Sequence, residues 1–259
     1  MSLWSEYGGG CYKMKKLLLL LLLILIGCSK EPVDIDSLNF RNESFYPLNS
    51  NEPYSGPILD LYENGQIKME VTLKDGKYTS PMKLYYDNGQ LEEEKTYKDG
   101  KVFSKVYHKK NGQLKEVGTY KDEKKHGLWK NYWSNGQLKE VGTYKEGKED
   151  GPFKVYYKKN GQLQSEGTWK DGKEDGPYKT YYENGQLEYE GTIKDGKRDG
   201  IRKNYSKNGQ LEEESFFEYG KLKEWKTYQN GELTTHVKNG EIVYSITGNI
   251  VPLLPNYIP

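Results

Sequence analysis

A lysine stands two residues before a tyrosine at Lys83 and Tyr85, Lys130 and Tyr132, Lys154 and Tyr156, Lys179 and Tyr181, and Lys203 and Tyr205. At that spacing in an extended chain both side chains point the same way, offering a cation, a hydrogen-bond donor and a ring face to one ligand. Copied along the chain, such pairs form a ladder suited to an extended polymer, a glycan or a partner peptide. The other use of the same residues is packing, with lysine stems covering aromatic rings while the charges stay in water.

The remaining reactive groups form no working constellation. His108, His126 and His236 sit in unrelated contexts, without HxxxH or CxxH spacing. The run DGKEDG from Asp171 lacks the alternate carboxylates and closing Glu of a calcium loop. Gly147-Lys148 and Gly172-Lys173 lack the GxxxxG before and the Ser or Thr after that make a phosphate-binding loop. These Asp-Gly-Lys groups read as turns. With no Ser–His–Asp grouping, metal set or cofactor motif in view, the expectation is a protein that is not an enzyme and uses no cofactor. Lys plus Arg (39) nearly balance Asp plus Glu (38), with no basic stripe for a phosphate backbone, which argues against nucleic-acid binding.

Cys28 carries an address. Met14 to Lys30, MKKLLLLLLLILIGCSK, opens on two lysines and runs into an apolar stretch from Leu17 to Ile26. That stretch is half the ~20 residues a spanning helix needs, so it reads as a signal peptide. Leu25-Ile26-Gly27-Cys28 resembles the bacterial lipobox. The resemblance implies a diacylglyceryl group on the Cys28 thiol and cleavage that leaves Cys28 as the N-terminus; an uncleaved short anchor or an ordinary signal peptide is the alternative. Residues 1–13 precede the natural-looking start at Met14 and read as an upstream start-site artefact. Cys11 and Cys28 are the only cysteines, so no disulfide framework survives processing. By resemblance to bacterial sorting rules, Ser29 and Lys30 imply the outer membrane where the host has two membranes.

The elements that position the Lys–Tyr pairs repeat. Asn-Gly recurs at Asn64, Asn88, Asn111, Asn135, Asn160, Asn184 and Asn208, at intervals of 24, 23, 24, 25, 24 and 24 residues, which marks a repeat architecture. A shortened NGE form follows at Asn230 and Asn239. With 24 Tyr, 29 Gly and few branched aliphatics outside the leader, the composition suits a thin, turn-rich β structure. Glycine also interrupts any helical stripe. Asn184-Gly185 predicts a two-residue type I′ turn, which sets Tyr182 opposite Leu187, Thr180 opposite Tyr189 and Tyr178 opposite Gly191. Tyr178, Tyr182, Leu187, Tyr189 and Ile193 then share an apolar face, with Lys179, Tyr181, Gln186, Glu188, Glu190 and Thr192 on the other. The unit from Gly151 carries one extra residue; a three-residue loop, Lys159 to Gly161, keeps Tyr157 opposite Leu163 and Phe153 opposite Gly167. The expected fold is all-β, an elongated repeat of antiparallel hairpins forming a twisted single-sheet meander with a period of about 24 residues.

Units of the form YYxNGQLxxEGTYKDGKxDGP resemble the bacterial variant of the membrane occupation and recognition nexus (MORN) repeat, from about Tyr54 to Tyr228. Pro53-Tyr54-Ser55-Gly56 resembles a lead-in common in such proteins. Bacterial members are grouped with the YwqK family and labelled antitoxin-like. Two departures stand out. Lys121-Asp122-Glu123-Lys124 lacks the turn glycine, predicting a looser connection. Arg202, Asn204 and Ser206 replace apolar residues, predicting a chemically thinner sheet near the C-terminal end. The domain reading is a signal peptide over 1–27, a tether and N-terminal cap over 28–50, repeats over 51–228, and degenerate repeats with a cap or tail over 229–259. The functional expectation is a lipid-anchored lipoprotein of the cell envelope, held to the membrane through Cys28 and binding an unidentified protein or envelope polymer. The alternative is an antitoxin or immunity protein that sequesters a toxin through its sheet.

Overall fold

A computed structural model of the protein describes residues 30–79 and 81–246. The leader, Cys28 and the tail from residue 247 lie outside the described residues. Strands dominate, and among the described residues there is no α-helix, only a short 3-10 turn at Ile35–Ser37. The chain divides into two compact units, Met1–Gln113 and Leu114–Pro259.

In the first unit, Gly56–Leu61, Ile67–Lys74, Met82–Tyr85, Leu91–Lys98 and Lys101–Tyr107 pair antiparallel in sequence order. Val33–Asp34 adds a parallel pairing to Gly56–Leu61. Alternation along Ile67–Lys74 buries Met69, Val71 and Leu73, which join Ile58 in a small core. Val33, Leu38, Phe45 and Tyr54 pack against that core, so the segment before the first repeat covers one face of the sheet.

The second unit is a meander from Leu114–Lys121 to Glu241–Ser245, each strand antiparallel to the next. One face carries the aromatics. Trp129 lies opposite Gly142, Phe153 opposite Gly167 and Tyr178 opposite Gly191, the last two as the alternation predicts. Trp129 and Phe153 are buried. Their rings meet neighbours edge-on or tilted, Trp129 against Tyr120 at 4.9 Å and Phe153 against Trp169 at 5.7 Å. Arg202, in the aromatic register position, keeps contact by laying its guanidinium over Tyr189 at 4.9 Å. The apolar face resumes beyond it at buried Phe217 and Val237.

The turns differ from the sequence reading. At Asn184-Gly185 only the glycine is left-handed (φ +84°). Tyr182 N–H donates to the Gln186 carbonyl, and Gly185 N–H donates to the Tyr182 carbonyl. This is a three-residue loop, a type I turn closed by a left-handed glycine. A bulge follows, and Leu187 pairs with Tyr181 instead of Tyr182. The long loop after Tyr157 is likewise one residue longer than expected, closing from Tyr157 to Gln162, with Leu163 paired to Tyr156. The reason lies in the asparagine side chain. Asn184 Oδ1 accepts from Gln186 N–H at 3.0 Å, and its Nδ2 donates to the Lys207 carbonyl, one repeat on, at 2.9 Å. Asn64, Asn88, Asn135 and Asn160 make the same pair of bonds.

Type I′ geometry belongs to the other connection. Asp195 (φ +50°) and Gly196 (φ +78°) are both left-handed, as the two central residues of that turn must be. Asp122 (φ +49°) and Glu123 (φ +60°) adopt it without a glycine, and Lys121 still pairs with Lys124. That connection is therefore as tight as its relatives, contrary to expectation, with backbone strain in place of looseness. The NGE turns at Asn230 and Asn239 are also of this kind.

Candidate functional site

Strand pairing places one residue per strand in a straight row across the polar face. In the second unit the row reads Val117, Lys130, Val141, Lys154, Glu166, Lys179, Glu190, Lys203, Glu214, Lys226, His236. In the first unit it reads Glu70, Lys83, Glu94, Lys105. Apart from Lys130, which stands between two valines, each lysine of the rows lies beside a glutamate on a neighbouring strand. Lys83 lies 2.9 Å from Glu70, Lys105 3.2 Å from Glu94, Lys154 3.3 Å from Glu166 and Lys179 3.8 Å from Glu190. Cross-strand neighbours of opposite charge stabilise the pairing and fix its register.

The tyrosines use the same carboxylates. Tyr85 Oη donates to Glu70 at 2.7 Å, Tyr181 Oη to Glu166 at 2.7 Å and Tyr205 Oη to Glu190 at 2.8 Å. The aromatic residue that opens an Asn-Gly loop reaches forward instead. Tyr62, Tyr86, Tyr157 and Tyr182 donate through Oη to the backbone carbonyls of Tyr85, Tyr107, Tyr181 and Tyr205, and Trp133 reaches the Tyr156 carbonyl through its indole N–H. Tyr85-Tyr86 and Tyr181-Tyr182 therefore each join their hairpin to the one before and the one after.

These bonds set the protonation chemistry. Burial, and then the bond to a carboxylate, pushes the phenols of Tyr181 and Tyr205 up to about 12. Tyr85 is raised by burial first and by Glu70 second. The Tyr181 bond, followed by Lys154, holds Glu166 below its ordinary value against desolvation. At Glu70 burial pulls upward most strongly, but the bonds from Tyr85 and Lys83 together outweigh it and leave the carboxyl lowered. The bond to Glu70 raises Lys83 in turn. Such groups keep fixed charges near neutrality and are suited to holding shape and presenting charge.

Two positions break the row. Where Glu70, Glu166 and Glu190 accept from a tyrosine fifteen residues later, Tyr132 and Tyr156 have Val117 and Val141 at that spacing. Lys130 lies between those two valines. Among the described residues, Lys130 Nζ and Tyr156 Oη have no hydrogen-bond or ion-pair partner.

All ten lysines and tyrosines singled out from the sequence lie in described strands, Lys83 and Tyr85 in the first unit and the other eight in the second. Cys28 lies outside the described residues. The sequence reading missed the pairs Lys105–Tyr107 and Lys226–Tyr228, which have the same spacing, and Lys105 and Lys226 occupy the same rows. It also missed the glutamates as partners. Each follows its strand's first apolar residue by three positions, as in Ile67–Glu70, Leu163–Glu166 and Leu187–Glu190, a signal visible in the sequence. His236 is half-buried, with Nε2 2.8 Å from Glu224, and so is tied into this network.

Fold and surface together define a β-hairpin repeat protein whose polar face is a patterned array of charge and phenol. Comparison with known families agrees: the MORN repeat variant matches residues 79–99, 125–146, 149–171, 174–195 and 198–219. Five segments of the chain are thus similar to that repeat. Comparison with curated proteins gives no match. Among solved structures, the chain is similar to one titled "Crystal Structure of TarM" at 12% identity, covering 41% of this chain and 20% of that one, with a TM-score of 0.29. The chain therefore spans about a fifth of the TarM chain it matches.

Proposed function

We propose that the protein is a non-enzymatic scaffold of the bacterial cell envelope, held to the membrane by a lipid on Cys28, whose polar face binds a protein or polymer partner. The observation that carries this reading is the row of Lys and Glu, one residue per strand, with tyrosines beside it. At strand spacing of ~4.8 Å it offers charges and phenols at regular intervals. The lysines pair with glutamates yet remain part-exposed, with Lys154 at 48% and Lys179 at 43% side-chain exposure. A partner can reach them without unfolding anything. The aromatic face supports the same division of labour, since its rings pack on the sheet's own glycines and on one another.

The anchor rests on the Met14–Lys30 segment, where basic residues, a short apolar run and Leu-Ile-Gly-Cys stand in the order of a lipoprotein leader. Two acyl chains make such attachment firm. Fractionation of cells expressing the full chain tests it: the protein partitions with membranes and takes up labelled acyl chains, and Cys28→Ala loses the label. Recovery of an unlabelled wild-type chain in the cytosol contradicts the anchor. Crosslinking of intact envelopes followed by affinity isolation then identifies the partner.

A further inference from the structure

The carboxylate row is interrupted where Lys130 sits. In the later repeats a lysine such as Lys179 has a glutamate on both flanking strands, Glu166 and Glu190. Lys130 has Val117 and Val141 instead. The same replacement removes the acceptor from Tyr156, which stands to Val141 as Tyr181 stands to Glu166. The two strands flanking Val141 thus keep the cation and the phenol, and the strand between them lacks the anion that engages both elsewhere. Apolar groups lie beside the cation: the two valines, and Leu128, which shares a face with Lys130 by alternation and is 57% exposed.

We propose that this interruption is the docking point for an extended acidic segment of a partner protein, whose carboxylate lies over Val141 and accepts from Lys130 Nζ and Tyr156 Oη. The arrangement to be completed exists in the neighbouring repeat, where Glu166 Oε1 accepts from Tyr181 at 2.7 Å and Oε2 lies 3.3 Å from Lys154. Charge complementarity fixes the sign of the occupant. The exposed Leu128 and the valines fix its class, because a polypeptide supplies apolar groups to cover them while a sugar acid leaves them wet. The proposal rests on the reading of this face as a binding surface and assigns its partner's chemistry.

The test uses the full chain and a short dye-labelled peptide in which Glu alternates with Leu and Thr, with binding followed by fluorescence anisotropy at low salt. Val141→Glu, which restores the internal carboxylate, and Lys130→Gln each weaken binding by about tenfold or more, the equivalent of one charge-assisted hydrogen bond. Lys179→Gln, two hairpins away, changes it by less than about twofold by the same reckoning. Val141→Glu melts no lower than the wild type, so loss of fold does not explain the loss of binding. Equal binding by wild type and Val141→Glu overturns the proposal, as does equal competition by polygalacturonate, or concentration-dependent self-association that excludes the peptide. If these fail while envelope crosslinks to the polar face persist, the docking point falls and the scaffold reading stands.

Discussion

Tyr181 donates its phenol proton to Glu166 across 2.7 Å, and that bond ties one hairpin to the hairpin before it. Tyr205 does the same with Glu190 and, in the first unit, Tyr85 with Glu70. Most of the lysine–tyrosine ladder is therefore part of the sheet's own cohesion. Its uncommitted donors are concentrated where valine takes the place of glutamate.

That division predicts unequal effects of two like substitutions. Tyr181→Phe leaves a part-buried carboxylate short of a donor and lowers stability by about 1 kcal/mol or somewhat more. Tyr156→Phe removes a hydroxyl with no partner among the described residues and stays within ~0.5 kcal/mol of wild type. Urea unfolding of both variants checks the contrast, and equal losses would contradict it.

The same bond has a pH signature. The phenols of Tyr181 and Tyr205 are pushed up to about 12 by burial and by the carboxylates they face, while a free tyrosine ionises near 10. A folded-state value above the unfolded one contributes stability that is complete below about pH 10 and disappears as pH rises toward 12. Ultraviolet titration therefore shows Tyr181 and Tyr205 among the late phenols, with Tyr85 and Tyr144. Glu166→Gln brings Tyr181 down toward its ordinary value and leaves Tyr205 in place.

Close approach on the aromatic face makes Gly118 intolerant. A Cβ there would sit 2.2 Å from the ring carbon Cδ2 of Trp129, itself 1% exposed and unable to retreat. Gly118→Ala lowers stability by about 2 kcal/mol through forced displacement of a packed ring. Chemical denaturation monitored by tryptophan fluorescence reads this directly, and a neutral effect would mean that the indole can move.

Turn geometry predicts opposite signs at two positions that both sit beside turns. Glu123 holds φ +60° where its relatives have glycine, so Glu123→Gly raises stability by about 1 kcal/mol by relieving a left-handed residue. Asn184 has no such strain and instead makes the bonds to Gln186 N–H and the Lys207 carbonyl. Asn184→Gly therefore lowers stability by about 1–2 kcal/mol. Thermal unfolding of the two variants separates them.

The pairing of Phe153 with Gly167 and of Tyr178 with Gly191 was legible because alternation and period leave one register that gathers the aromatics. The loop at Asn184 was not. Asn-Gly favours a type I′ turn, but a type I turn followed by a left-handed glycine accepts the same dipeptide. What decides between them is the bond to Lys207 in the next repeat, which appears only once hairpins lie side by side. The Asp-Gly turns take the I′ geometry because both their central residues are left-handed. The lysines and tyrosines were found by spacing alone. Their glutamate partners required knowing which strands adjoin, although the constant distance of each Glu from its strand's first apolar residue carried the signal.

On the proposed function, the polar face is the one that a partner touches. A photoactivatable phenylalanine analogue placed at Tyr156, or for comparison at Arg202 on the aromatic face, tests this in intact bacteria expressing the full chain. Irradiation yields a discrete protein adduct in the membrane fraction from the Tyr156 position and none from Arg202. Equal adducts from both positions, or none from Tyr156, would contradict the account.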